Sequence, residues 1–197
     1  MTELEPMTLE AIATAPARLS TARVLRATPE AVFDAFEDAT SWPRWVPVIA
    51  SVVWTSELPP RVGSTRTVRM RGGITAEEQF LAYERGRRMA FTFERATIAG
   101  LRSFAEDYRV TDVGLGQVRV EWTMAIVADG PAAAGLGPFT RFGSAGLAWS
   151  LRRTHKPKNR HERPRLTIKQ ITQLPGLLEK IELALPATAV ETGEGAV

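Results

Sequence analysis

The stretch that decides the fold is Ala27–Pro47, ATPEAVFDAFEDATSWPRWVP. Thr28 is placed to cap a helix that starts at Pro29, where a missing backbone donor does no harm, and Glu30 faces the positive end of that helix. Val32, Phe33 and Phe36 recur at helical spacing, so the helix is short and amphipathic. Between Asp38 and Trp45 two indoles, Trp42 and Trp45, fall within one turn, bounded by Pro43 and Pro47. This predicts a second short helix, with strand-like runs on either side of the pair.

Working outward, Leu19–Arg26 reads as the strand that precedes the helices. Six further strands are predicted at Ala50–Glu57, Ser64–Arg71, Ile74–Tyr83, Arg88–Thr97, Arg102–Thr111 and Gln117–Ala128. Turn chemistry separates them: Pro59-Pro60 with Gly63, Gly72-Gly73, Glu84-Arg85-Gly86, Ala99-Gly100 and Gly114-Leu115-Gly116. Strands joined by such short, glycine-bearing turns form an antiparallel meander, not a parallel sheet. After Gly137-Pro138 a helical pattern returns, with Phe139, Phe142, Gly146 and Trp149 three or four apart.

The order is strand, two short helices, six strands, long helix. With it come three local matches: Pro29-x-x-Val32-Phe33 followed by Asp38 and Trp42-x-x-Trp45-x-Pro47; Val62-Gly-Ser-Thr-Arg66; and a glycine turn before Val118-Arg-Val-Glu-Trp122. On these the chain resembles the SRPBCC (START-like; polyketide cyclase/dehydrase and lipid transport) superfamily from about Leu19 to Arg153. The resemblance implies an α+β helix-grip fold, in which a seven-stranded curved antiparallel sheet wraps a long C-terminal helix around a cavity. The domain is expected over residues 18–155. A flexible arm is expected over 1–17, and a basic, flexible tail with one short helix over 156–197.

Composition narrows the chemistry. The 197 residues hold no cysteine, and the only histidines are His155 and His161. No lysine occurs before Lys156. The main domain therefore cannot support Ser-His-Asp or Cys-His nucleophilic catalysis, Schiff-base chemistry or thiolate metal sites. Asp, Glu and Tyr are its remaining proton carriers. No metal and no cofactor are expected. The acidic N-terminal MTELEPMTLE and the lack of a long apolar run predict a cytoplasmic protein without a transmembrane segment. Residues 151–170 hold eight Lys and Arg against Glu162 alone. That density could contact an anionic membrane peripherally, but it lacks interleaved aromatics and any nucleic-acid motif, so no specific nucleic acid is expected. Oligomeric state is not legible.

Period-two alternation assigns the strand faces. Val68 and Met70 point inward, as do Phe80; Met89, Phe91 and Phe93; Phe104, Tyr108 and Val110; and Val118, Val120, Trp122 and Met124. The same parity carries Glu78, Glu106, Arg66 and Arg95 inward. A charge on an apolar face is costly unless paired, hydrogen-bonded or neutralised, which makes Glu78 and Glu106 the sharpest candidates. They could orient a ligand or act as general base, with Tyr108 as a third proton carrier. They could equally form structural ion pairs with Arg66 or Arg95. The expected ligand-lining set is Trp45, Met70, Glu78, Phe80, Phe91, Phe93, Phe104, Glu106, Tyr108, Trp122, Met124, Phe142 and Trp149.

Three functions stay open at this point. One is binding or transport of a hydrophobic small molecule (a lipid, polyketide or isoprenoid-like compound), the ligand class that the resemblance implies. A second is an aromatase/cyclase or dehydratase using a cavity carboxylate. The third is a non-catalytic interaction module. Fold alone does not choose among them.

Overall fold

A computed structural model describes residues 1–15, 17–46 and 48–130. The elements are β1 (Thr2–Glu3), α1 (Leu9–Thr14), β2 (Ala17–Arg26), α2 (Pro29–Glu37), α3 (Trp42–Trp45), β3 (Ile49–Trp54), β4 (Thr65–Met70), β5 (Thr75–Glu84), β6 (Arg88–Ala96), β7 (Leu101–Gly114) and β8 (Gln117–Ala128). The expected long helix from Pro138 and the basic tail lie outside the described residues.

The seven long strands form one antiparallel sheet in the order β2-β8-β7-β6-β5-β4-β3. The five hairpins from β3 to β8 are sequential, and β2 closes the order by pairing with β8 from Ala17↔Ile126 to Arg26↔Gln117. One apolar face of this curled sheet carries the main core, with α2 and α3 packed against its edge.

The tryptophan-rich turn works because it finishes α2. A helix leaves its last four carbonyls without intrahelical donors. Here the Asp34 carbonyl accepts from the Asp38 backbone N–H, and the Ala35 carbonyl accepts from the Ser41 hydroxyl. The Phe36 carbonyl accepts from Trp42 Nε1 at 2.9 Å, and the Glu37 carbonyl from Trp54 Nε1 at 2.9 Å. Two indoles and a serine thus do the work of a C-terminal glycine motif and fix α3 against the core. At the other end Thr28 Oγ1 accepts from the Ala31 N–H, as the sequence predicts.

In place of the flexible arm expected over residues 1–17, Thr2–Glu3 pair with the sheet and Leu9–Thr14 form a helix packed on it. β6 and β7 stay in register only from Arg88↔Arg109 to Thr92↔Ala105. Beyond that point they separate, and the N-terminal segment lies between them. Thr2 and Glu3 pair with Ala96 and Arg95. The Leu4 N–H donates to the Glu94 carbonyl, and the Glu5 N–H to the Arg102 carbonyl. The Met7 N–H donates to Thr92 Oγ1 at 3.1 Å. Leu4 joins the main core, whereas Met7 and Ile12 pack on the opposite face against Ala105 and Ala125. The segment therefore runs from one face of the sheet to the other through the splay.

A second correction concerns Arg95. Parity carries it inward, but a register shift between Glu77 and Glu78 sets Glu77 opposite Arg95 and Glu78 opposite Phe93. The extra residue in β6 turns Arg95 out, where it pairs with Glu77 at 3.4 Å.

Candidate functional site

Three strands and the tryptophan turn place a small polar group on the apolar face. Arg66 and Glu78 sit directly opposite each other on β4 and β5. Arg66 Nε donates to Glu78 Oε2 at 2.5 Å, and both side chains are almost wholly buried. The guanidinium carbon also lies 4.3 Å from the centre of the Trp42 ring, 4.8 Å from Phe91, 5.2 Å from Phe80 and 5.6 Å from Trp54. Four aromatic faces therefore share the cation that Glu78 holds.

On β7, alternation sends Phe104, Glu106 and Tyr108 to the concave face. Tyr108 Oη donates to Glu106 Oε2 at 2.7 Å. The Tyr108 ring is clamped by Phe36 at 5.2 Å, Trp122 at 6.1 Å, Phe91 at 6.3 Å and Trp42 at 6.4 Å. Trp122 Nε1 faces the Glu106 carboxyl and lowers its pKa, yet it does not reach hydrogen-bonding geometry and has no acceptor. Arg66 Nη1 is the second buried donor without an acceptor among the described residues.

Burial dominates the electrostatics. It lifts the Glu106 carboxyl to a pKa of about 7, with the Glu78 charge pushing the same way and Tyr108, Trp122 and Arg66 pulling back. Glu78 is also raised by burial, against the charge and hydrogen bond of Arg66. Tyr108 is raised well above the ordinary phenol value, first by burial and then by Glu106. Among the described residues one cation thus lies near two buried carboxyls, and geometry gives it to Glu78. Glu106 is left as a group that both gives and takes a proton near neutrality.

These side chains border a cavity of about 30 Å3 lined by Trp42, Val46, Val48, Ile49, Val68, Met70, Glu78, Phe91, Phe93, Phe104, Glu106, Tyr108 and Trp122. Of the residues expected to line a ligand site, Met70, Glu78, Phe91, Phe93, Phe104, Glu106, Tyr108 and Trp122 border it. Trp45, Phe80 and Met124 are buried in the same core but do not border this cavity. Trp45 packs on Trp42 with ring centres 4.4 Å apart and planes tilted by 40°, and Phe80 backs Arg66. Phe142 and Trp149 lie outside the described residues. The expected lining set leaves out Val68, which parity points inward, and also Trp42, Val46, Val48 and Ile49, which lie in or just after a helix of only four residues. The Trp-Pro-Arg-Trp run with a second proline at Pro47 was the available signal in the sequence. Among the described residues no group of three or more His, Cys, Asp or Glu side chains could hold a metal ion. Likewise, no described helix is long and apolar enough to cross a membrane.

A curled antiparallel sheet that keeps a few polar groups on an otherwise apolar concave face is the layout of a START-like domain. A family profile described as polyketide cyclase/dehydrase and lipid transport matches residues 16–154, and the chain belongs to that family. Uncharacterized proteins of Mycobacterium tuberculosis and Mycobacterium bovis are each 46% identical to it over 108 residues, which is 55% of this chain and 64% of each relative. The chain thus matches a little under two thirds of the length of those relatives. A START superfamily protein from Mycobacterium smegmatis superposes with a TM-score of 0.50 at 10% identity, covering 68% of this chain and 98% of the other. A protein from Thermus thermophilus superposes with a TM-score of 0.54 at 15% identity, covering 85% and 95%. At such identities the likeness is one of fold.

Proposed function

We propose that this domain binds a hydrophobic small molecule with its polar end turned toward Glu106. The observation that carries the reading is the distribution of polar atoms: among the described residues, Glu78, Glu106, Tyr108 and Trp122 converge on one cavity of an otherwise largely apolar concave face, with the buried Arg66 behind Glu78. Binding sites of this kind are mostly apolar, with a few convergent groups that fix orientation. The cavity of about 30 Å3 takes only the polar end, so the body of the ligand must part the apolar side chains around it, Met70, Phe93 and Phe104 among them, and apolar burial supplies most of the affinity. Carriage of a lipid, polyketide or isoprenoid-like compound fits the family description. Native mass spectrometry of the purified full-length protein tests it. A co-purifying lipid-like mass that ethanol extraction removes supports the reading. A protein that carries none, and that binds no member of an apolar ligand panel, contradicts it.

Glu106 favours a second reading, catalysis of an aldol-type cyclisation. It is buried, no cation among the described residues contacts it, and its pKa of about 7 suits a general base at working pH. In that reaction Glu106 takes a proton from the carbon between two carbonyls. The enolate attacks a second carbonyl carbon, and the protonated Glu106 returns its proton to the alkoxide. A linear poly-β-ketone thioester mimic tests it. Cyclised product that falls about 10²–10⁴-fold in Glu106→Gln while binding persists supports catalysis, and unchanged turnover removes Glu106 from the chemistry.

A further inference from the structure

The two donors that lack acceptors sit in different surroundings, and the difference points to a ligand chemistry. Arg66 Nη1 belongs to a guanidinium enclosed by Trp42, Phe91, Phe80 and Trp54, and Arg66 is not part of the cavity lining. Trp122 does line the cavity. Its side chain is 1% exposed, and its N–H faces the Glu106 carboxyl without bonding to it. A buried N–H without an acceptor carries the full desolvation cost of that group. The cavity beside it, about 30 Å3, has room for one oxygen-sized group but not for a bulky head.

We propose that the Trp122–Glu106 end of the cavity receives a single uncharged oxygen, a ketone or hydroxyl oxygen, of an otherwise apolar ligand, and discriminates against carboxylates. This rests on the ligand-binding reading above and names the ligand class for the same site. The charged and titratable groups around that oxygen are Tyr108 on β7, Glu78 on β5 and Arg66 on β4, with Glu106 itself. A ketone oxygen accepts from Trp122 Nε1 and from the protonated Glu106 carboxyl. A hydroxyl oxygen accepts from the indole and donates to Glu106 when that group is ionised. Either oxygen satisfies the orphaned indole without adding charge. A ligand carboxylate would instead bring a third acid beside Glu106 and Glu78, where the one nearby cation among the described residues, Arg66, already gives its Nε to Glu78. Its second oxygen would also need space and donors that the cavity lining does not offer.

The test uses the full-length protein and three probes of matched chain length: a long-chain methyl ketone, the primary alcohol and the fatty acid. Affinities are measured by calorimetry at about pH 6, above the ordinary carboxylate value, so that the fatty acid is ionised, and below the value of about 7 for Glu106, so that Glu106 keeps its proton. The ketone and the alcohol are expected to bind at least about tenfold tighter than the fatty acid. Trp122→Phe is expected to lower ketone affinity by about tenfold and to leave fatty-acid affinity unchanged. Because a core tryptophan variant can lose its fold, the wild-type Trp122 indole N–H resonance provides a second readout, which must shift on adding ketone. Fatty acid binding as tightly as ketone, or an indole resonance that does not respond to bound ketone, overturns this inference while leaving ligand binding intact. Failure of all three probes to bind overturns the ligand-binding reading, and this inference with it.

Discussion

Glu78 and Glu106 occupy one concave face, two strands apart, and the protein handles their burial in opposite ways. Glu78 faces a cation across a direct strand pair, and that cation is in turn wrapped by four aromatic rings. Glu106 is given a phenol two residues along its own strand and an indole that stops short of a bond. In the first arrangement Arg66 Nε and Glu78 Oε2 satisfy each other at 2.5 Å, and the rest of the cation, its unpaired Nη1 included, faces aromatic rings. The second stays chemically open, because a carboxyl without a contacting cation settles burial by holding its proton. Under the proposed function, two identical side chains therefore take up different work, structure on β5 and recognition or proton transfer on β7.

The strongest way to break this contrast is to remove the cation. Arg66→Met leaves Glu78 buried beside aromatic rings with no counter-charge, and loss of one partner of a buried pair typically costs about 3–5 kcal/mol. Urea denaturation is expected to show a loss of that size. The double variant Arg66→Met with Glu78→Leu is expected to regain most of it, since a buried pair replaced by apolar residues is often neutral. If the single variant loses less than about 1 kcal/mol, the pair is not the structural element described here.

The contrast sharpens with pH. Glu106 titrates at the ordinary carboxylate value when unfolded and at about 7 when folded, so the folded state binds the extra proton in between. The contribution to stability is complete below the unfolded value and is lost as pH rises through about 7. Wild type minus Glu106→Gln should therefore fall by a few kcal/mol at most between about pH 4 and pH 8 and then level off. A difference that rises over the same interval would mean that Glu106 is stabilised as the anion.

A smaller effect is expected where the N-terminal segment passes through the sheet. A chain lacking residues 1–15 loses the burial of Leu4, Met7 and Ile12, offset by the entropy of a segment that no longer needs ordering. The net cost is expected to be about 1–3 kcal/mol, read as a lower melting temperature. Fluorescent-ligand association should also quicken, because the splay between β6 and β7 opens beside Phe93 and Phe104. An unchanged melting temperature would show that the segment is an ornament. The smallest effect belongs to Leu115, a residue 99% exposed with a φ of 56° between two glycines that also have positive φ. Leu115→Gly relieves a left-handed backbone and should raise stability by about 1 kcal/mol.

How far the sequence carried this account depends on what each signal measures. Alternation alone placed Glu78, Glu106 and Tyr108 on the concave face, since each strand there is regular enough for parity to hold. It failed at Arg95, where one inserted residue in β6 reverses the facing of everything beyond it, and a bulge leaves no mark in a hydrophobic pattern. The helix start at Thr28 and Pro29 was readable because capping is local. The docking of residues 1–15 was not, because Leu4 buries itself on one face of the sheet and Met7 and Ile12 on the other, so their spacing shows no single period. Arg66 could be read as inward and as a partner for Glu78, but its aromatic enclosure draws on four separate elements and appears only in three dimensions.

The measurement closest to the central claim is a carboxyl titration of Glu106 by NMR in glutamate-labelled, ligand-free protein. Glu106 is expected to titrate near about 7, and Tyr108→Phe should move that midpoint upward by removing the hydrogen bond that holds it down. A Glu106 midpoint near the ordinary carboxylate value of about 4.3, unchanged in Tyr108→Phe, would mean a solvated anion stands where the account places a buried, proton-holding group.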